Sequence, residues 1–284
     1  FASDGRLFSA DSWGKLICWQ EAKPVWTVEQ AHDGWIRGLA VSADGKQLAT
    51  GGMDRTVRVW SASDGKKLHE LTGHAADVLA VAFHPDGQSV VSGDMFGVVK
   101  QWDIQQGRAA GVSPLLREFD AKCLHRLDRL QDTGGARCLA FDADGKTLAC
   151  AGTQPKNGGN VQGVPTILLF DWVSGKLAHT LKTGVDADGY VYDLHFHPAG
   201  FVMAVSSGNP GVGKFYFQQP GDAPPFFITP KMANCHSLAV HPDGTRLVVS
   251  ATNGGSNGNG RGPNKDNYPG NWSPLVVWEM PKTE

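Results

Sequence analysis

His32, Thr50 and Asp54 bring an imidazole, a hydroxyl and a carboxylate into one short stretch that ends at Trp60. Those are the ingredients of a hydrolase triad, in which a base activates a hydroxyl and an acid orients the base. A triad also needs an exposed nucleophile and donors for the developing oxyanion. Thr50 instead lies inside the apolar run "KQLATGG", and Trp60 closes the next alternating run, "TVRVW". A hydroxyl in mid-strand beside a tryptophan is placed to satisfy buried polar atoms. A structural network is therefore expected, and no catalytic residue is assigned.

Other chemistry-bearing candidates are weaker. "HFH" puts His195 and His197 on one face of a strand, as a metal pair would require. His197, however, occupies the same repeat position as His84 and His241, so only His195 needs a separate account, for which core or channel lining suffices. The five cysteines (Cys18, Cys123, Cys138, Cys150, Cys235) form no C-x-x-C pair, and four of them lie in apolar runs as small core residues. Segment 251–274 is rich in Gly and Asn but lacks the Lys-Ser/Thr of a phosphate loop and the alternating acids of a calcium loop. "NWS" at 271–273 fits a glycosylation pattern and is followed at once by Pro274. No haem-attachment motif or metal-ligand spacing is present, so no cofactor and no metal are expected.

These residues are positioned by a repeat. "ASDGRLFSA", "SADGKQLAT", "HPDGQSVVS", "DADGKTLAC", "HPAGFVMAV" and "HPDGTRLVVS" share one template, with glycines at 5, 45, 87, 145, 200 and 244. A small turn pair ending in glycine between two apolar runs signals a β-hairpin. A third run then closes on an aromatic residue: Trp19, Trp60, Trp102, Phe170, Phe217 and Trp278. A weaker fourth run follows, such as "KKLHEL". Four short strands per unit of about 40 residues is the pattern of a propeller blade. The bulk numbers agree with a globular chain: 284 residues, 41% hydrophobic, with 36 glycines for many turns. Lys plus Arg number 26 against 28 for Asp plus Glu, so no overall field favours nucleic acid, and no apolar run is long enough to span a membrane.

With that repeat in view, the sequence resembles the WD-repeat β-propeller family, of bacterial type, over nearly its whole length. The best match is residues 32–60, where the resemblance implies a buried tetrad of Trp60, Thr50, His32 and Asp54. The repeat ending at Trp102 keeps His74 and Ser92 but has Phe96 at the position of Asp54; the repeat ending at Trp19 keeps Ser9 and has Trp13 there. The tetrad is thus expected to be mostly lost outside the second blade. The fold expected is all-β: one domain over 1–284, a propeller of four-stranded antiparallel blades, six of them visible, with insertions at 105–135, 152–166 and 251–274. Phe1 supplies no initiator Met or signal peptide, so upstream residues are expected to complete the first blade or to add a seventh.

In such a propeller Asp54, Trp13, Phe96, the insertions 152–166 and 251–274 and most of 120–135 are expected in loops opening on one face. Residues of the inner strands that reach the same rim include Trp35, Asp77, Tyr190 and Asn234 in one column and Arg37, Leu79, Arg137, Tyr192 and His236 in another. The resemblance implies that these columns border the mouth of a central channel and contact partners. With Met53 and Met95, the rim has the Trp, Tyr, Arg and Met enriched at interface hot spots. The expected partner-binding set is Trp35, Arg37, Met53, Asp77, Met95, Arg137, Tyr190, Tyr192 and His236. Trp13 and Phe96 either join that face or fill space between blades. The function expected is a non-catalytic scaffold that binds a protein or peptide, with nucleic acid not favoured. The alternatives are a small-ligand or enzymatic site at the channel mouth and a docking or sensor module of a larger protein.

Overall fold

Glycine is required at the template turns because the chain reverses there with positive φ, a region that a Cβ disfavours. In the computed structural model of the chain, Gly5, Gly45, Gly87, Gly145 and Gly200 have φ of 86°, 69°, 70°, 68° and 86°. The amides of Gly45 and Gly87 each return to a carbonyl three residues back, Ser42 O and His84 O, at 2.9 Å. The structure describes residues 2, 4–105, 115–128, 131–156, 163–208, 212–221, 223–229, 232, 234–241, 245–252 and 274–280.

The hairpins stack into six blades around a channel, with no α-helix among the described residues. Blade two consists of Ile36–Val41, Gln47–Gly52, Val57–Ser61 and Lys67–Leu71, and blade three of Val78–Phe83, Ser89–Asp94, Val98–Asp103 and Leu115–Asp120. Blade four is Cys138–Phe141, Thr147–Pro155, Gly163–Asp171 and Leu177–Lys182, and blade five is Tyr190–Phe196, Val202–Ser207, Gly213–Gln218 and Phe227–Thr229. Each of these four sheets runs in sequence order with antiparallel pairing. Blade one has three described strands, Leu7–Ala10, Leu16–Gln20 and Lys23–Val28; blade six has Ser237–Val240, Arg246–Ser250 and Leu275–Glu279. Trp19 Nε1 donates to Ser9 Oγ at 2.8 Å, as Trp60 Nε1 does to Thr50 Oγ1, so the strands of blade one are its second, third and fourth. Blade six has its first three.

Blades lie face to face, so their middle strands are covered on both sides and read as continuous apolar runs. Ser89–Asp94 is buried at every position. Five buried clusters result, one at each interface between successive blades. Leu48, for example, is fully buried between blades one and two, and cutting it to Ala costs about 3 kcal/mol in such a site. First strands of successive blades approach closely: a Cβ at Gly38 would lie 3.0 Å from the Val81 amide nitrogen.

The segment after Trp102 supplies the outer strand Leu115–Asp120, then a 3₁₀ turn at Lys122–Leu124 and a separate hairpin, His125–Asp128 with Gln131–Gly134. The extra residues of blade four lengthen its second and third strands, which pair from Thr147 with Asp171 as far as Pro155 with Gly163. The insertion of blade six lies, over residues 253–273, outside the described residues.

Candidate functional site

The second blade places its four polar residues in one chain of hydrogen bonds. Trp60 Nε1 donates to Thr50 Oγ1 at 2.8 Å, Thr50 Oγ1 lies 2.7 Å from His32 Nε2, and His32 Nδ1 lies 2.9 Å from Asp54 Oδ1. Asp54 also accepts from Arg58 at 2.7 Å and from the Thr56 hydroxyl at 2.8 Å. Burial pushes the Asp54 carboxyl upward, but its bonds from His32, Arg58 and Thr56 outweigh this and hold it well below the usual carboxylate range. An ionised Asp54 only accepts, so His32 Nδ1 is the donor and Nε2 accepts the Thr50 hydroxyl proton. Burial, partly opposed by Asp54, lowers the His32 pKa and keeps the ring neutral. Thr50 has no exposed surface, so no substrate can reach its hydroxyl.

Blade three differs from the sequence expectation. Its acid is Asp94, two positions before Phe96, and its tetrad is complete. His74 Nδ1 lies 2.8 Å from Asp94 Oδ2, His74 Nε2 lies 2.7 Å from Ser92 Oγ, and Trp102 Nε1 donates to Ser92 Oγ at 2.7 Å. Asp94 Oδ1 accepts from the amides of Phe96 (3.0 Å) and Val98 (2.9 Å). Asp11 of blade one makes the same pair of bonds to Trp13 N and Lys15 N, both at 2.9 Å. Carboxylates at 11, 94 and 54 thus serve equivalent turns from two backbone positions. Position 52 shows why blade two uses the later one: a Cβ on Gly52 would sit 2.4 Å from His32 Nδ1. The signal in sequence was the acid at the end of the second strand, "SAD" and "SGD", two positions after the hydroxyl, which an alignment on Asp54 passes over.

Released from that bond, the two aromatics go different ways. Trp13 is 85% exposed and fills no space between blades. Phe96 is half-buried against the inserted hairpin, its ring 5.1 Å from that of His125, whose Nε2 lies 2.8 Å from Asp132 Oδ1.

The rim residues fall into two neighbouring groups. On blade two, Trp35 is half-exposed with the Arg37 guanidinium 5.1 Å above its ring, and Met53 is exposed beside them. Asp33, Gly34, Trp35, Arg37 and Met53 line a groove of about 500 Å³. On blades four to six, Arg137 stacks 4.2 Å over Tyr190, Tyr190 meets Tyr192 at 6.1 Å, and Tyr192 meets His236 edge-on at 5.2 Å. Tyr190 is buried and Asn234 nearly so, which makes Tyr190 a support under Arg137 and not a surface group. His236 is exposed, and desolvation by its neighbours lowers its pKa. Asp77 and Met95 are half-buried and joined to each other, the Asp77 carbonyl accepting from Met95 N at 2.9 Å. A second cavity, of about 270 Å³, joins the two groups and is lined by Ile36, Arg37, Leu79, Arg137 and Tyr192.

The remaining candidates are structural. His195 Nε2 lies 2.9 Å from the Leu238 carbonyl, while Asp193 Oδ2 accepts from Leu238 N at 2.9 Å. The two side chains bind the inner strands of blades five and six together, and burial raises the Asp193 pKa. Four cysteines are buried and Cys123 is exposed, all five as free thiols. Among the described residues no cluster of three metal-ligating side chains occurs, and no helix is long and apolar enough to cross a membrane.

Comparison with known proteins gives this architecture its relatives. Residues 22–61 and 65–103 match the family model described as "WD domain, G-beta repeat". The chain is 30% identical over 152 residues to the Periodic tryptophan protein 2 homolog of Schizosaccharomyces pombe, covering 51% of this chain and 16% of that protein. It is 26% identical over 253 residues to Telomerase protein component 1 of Rattus norvegicus, covering 88% of this chain and 8% of that protein. The chain therefore spans less than a fifth of the length of these relatives. Both relatives are eukaryotic, against the bacterial type expected from the repeats. Among solved structures, the WD40 repeats of RRP9 superpose with a TM-score of 0.66 at 15% identity, over 87% of this chain and 70% of that one. The chain thus carries WD repeats at residues 22–61 and 65–103, with complete tetrads in two blades, and has the fold of a six-bladed WD-repeat β-propeller.

Proposed function

We propose that the propeller is a non-catalytic scaffold whose insertion-bearing face holds a protein or peptide. The observation that carries this reading is the exposed Trp35–Arg37–Met53 group. A large aromatic, a guanidinium and a methionine stand together on a rigid inner-strand rim beside an open groove of about 500 Å³. Rings and forks held on strands lose little conformational freedom on binding, which is how a small patch gives useful affinity. Tyr192 and His236 extend the same face across the channel, and Met95 and Asp77 lie between the two groups. The described residues of the channel mouth include no nucleophile beside a general base, which argues against an enzymatic site there. A docking role within a longer protein is a form of the same reading.

The test is a pair of affinity baits, the chain itself and a variant carrying Trp35→Ala, Arg37→Glu and Tyr192→Ala, with retained proteins identified by mass spectrometry. A protein held by the first and lost by the second supports the face. Identical retention by both baits removes the rim from consideration.

A further inference from the structure

The channel mouth contains two cations that nothing in the described chain neutralises. Arg6 pairs with Asp4, and Arg58 pairs with Asp54 and Glu70. Arg37 and Arg137 have no carboxylate partner among the described residues, yet both line the same cavity of about 270 Å³. The Arg137 Nε is buried and has no acceptor. A buried charged donor without an acceptor is a costly arrangement in a folded chain. Both guanidinium planes are fixed by an aromatic ring, Trp35 for Arg37 and Tyr190 for Arg137, at 5.1 and 4.2 Å.

We infer that this cavity receives the carboxylate of an acidic side chain from a bound peptide, with Arg37 and Arg137 donating to its oxygens. The inference rests on the interaction face proposed above and names the chemistry of its central contact. The remaining walls, Ile36, Leu79 and the Tyr192 ring, suit the methylene stem of Asp or Glu. A volume of about 270 Å³ has room for one acidic side chain. Asp33 lines the neighbouring groove and not this cavity, whose walls carry no acid, so a carboxylate meets no like charge there. With a formal net charge of −2, the chain has no broad positive field for a polyanion, which favours a single carboxylate over a nucleic-acid backbone.

A random peptide library selected on the intact chain tests this. Selected peptides are synthesised with a fluorophore and measured by anisotropy beside counterparts in which each acid is replaced by its amide. The expected result is one recurrent acidic position. Its neutralisation, and separately Arg37→Gln or Arg137→Gln, each weakens binding about 10- to 100-fold, and the two losses do not add. Arg137→Lys, which retains charge without the fork, falls between. Unchanged melting temperatures show that the variants fold. Peptides that depend on Trp35 but show no acidic position, or ignore both Arg substitutions, overturn the carboxylate site and leave the binding face standing. Peptides indifferent to Trp35→Ala, Tyr192→Ala and the Arg variants, or a library yielding no binder, overturn both. Displacement of a selected peptide by a uridine oligonucleotide, lost in the Arg variants, overturns the assignment to an acidic side chain.

Discussion

Blades two and three brace their interiors with hydrogen bonds, while blades four to six do it with packing. Where blade two has Thr50 and blade three Ser92, the later blades have Cys150, Val205 and Val249 at the equivalent register. Where the first pair has Trp60 and Trp102, blades four and five have Phe170 and Phe217, which carry no N–H to satisfy. Donor and acceptor were thus lost together in those two blades, an exchange that is close to neutral in buried sites. Blade six breaks the match. It keeps Trp278 opposite Leu247 but has Val249 where the hydroxyl belongs, and Trp278 Nε1 is buried without an acceptor. Polar and apolar braces are interchangeable only as complete sets.

The comparison can be broken most sharply at Asp94. Asp94→Ala removes the acceptor of His74 and of two amides and is expected to cost about 3 kcal/mol, read as a fall in the denaturant midpoint. Moving the acid to the place it has in blade two, with Asp94→Gly and Phe96→Asp together, is expected to restore most of that loss. No recovery would mean that the two turns are not equivalent.

The same substitution in two blades should then have opposite signs. Val205→Thr, beside Phe217, buries a hydroxyl without its indole donor and is expected to cost about 1–2 kcal/mol. Val249→Thr offers Trp278 its missing acceptor and is expected to gain about 1 kcal/mol. Equal losses at both sites would refute the account of blade six.

The smallest effect is read with pH. His32 has its pKa lowered from 6.5 by burial, so the unfolded chain binds a proton before the folded one does. Its contribution is complete above pH 6.5 and declines as pH falls from there through the folded value. Asp54, also depressed, adds a second loss below the ordinary carboxylate pKa of 3.8. Melting temperature should therefore fall on acidification, and His32→Gln should flatten the part just below pH 6.5. A profile that is identical in the variant would remove His32 from the linkage.

The repeat was legible because its signal is local: turn glycines with positive φ, alternating runs and a closing aromatic each act within a few residues. The network of blade two was legible for the same reason. Asp94 was missed because hydrogen bonding is judged in space, and a carboxylate two residues earlier in a tight turn reaches the same imidazole. Tyr190 was read as a surface anchor because strand alternation fixes the face of a side chain and not what covers it, here Arg137. The cavity shared by Arg37 and Arg137 needed the ring itself, since 100 positions of sequence separate the two residues.

The two placements of the turn acid also bear on engineering. When the carboxylate is anchored at the strand end, as at Asp11 and Asp94, the tips Ser12–Trp13 and Met95–Phe96 are no longer committed to it. Those tips are natural positions for randomised residues in a binder library, whereas in blade two a library that includes Asp54 would select against its own scaffold. Transplanting the strand-end acid into that turn would have to displace the His32 ring that Gly52 now accommodates.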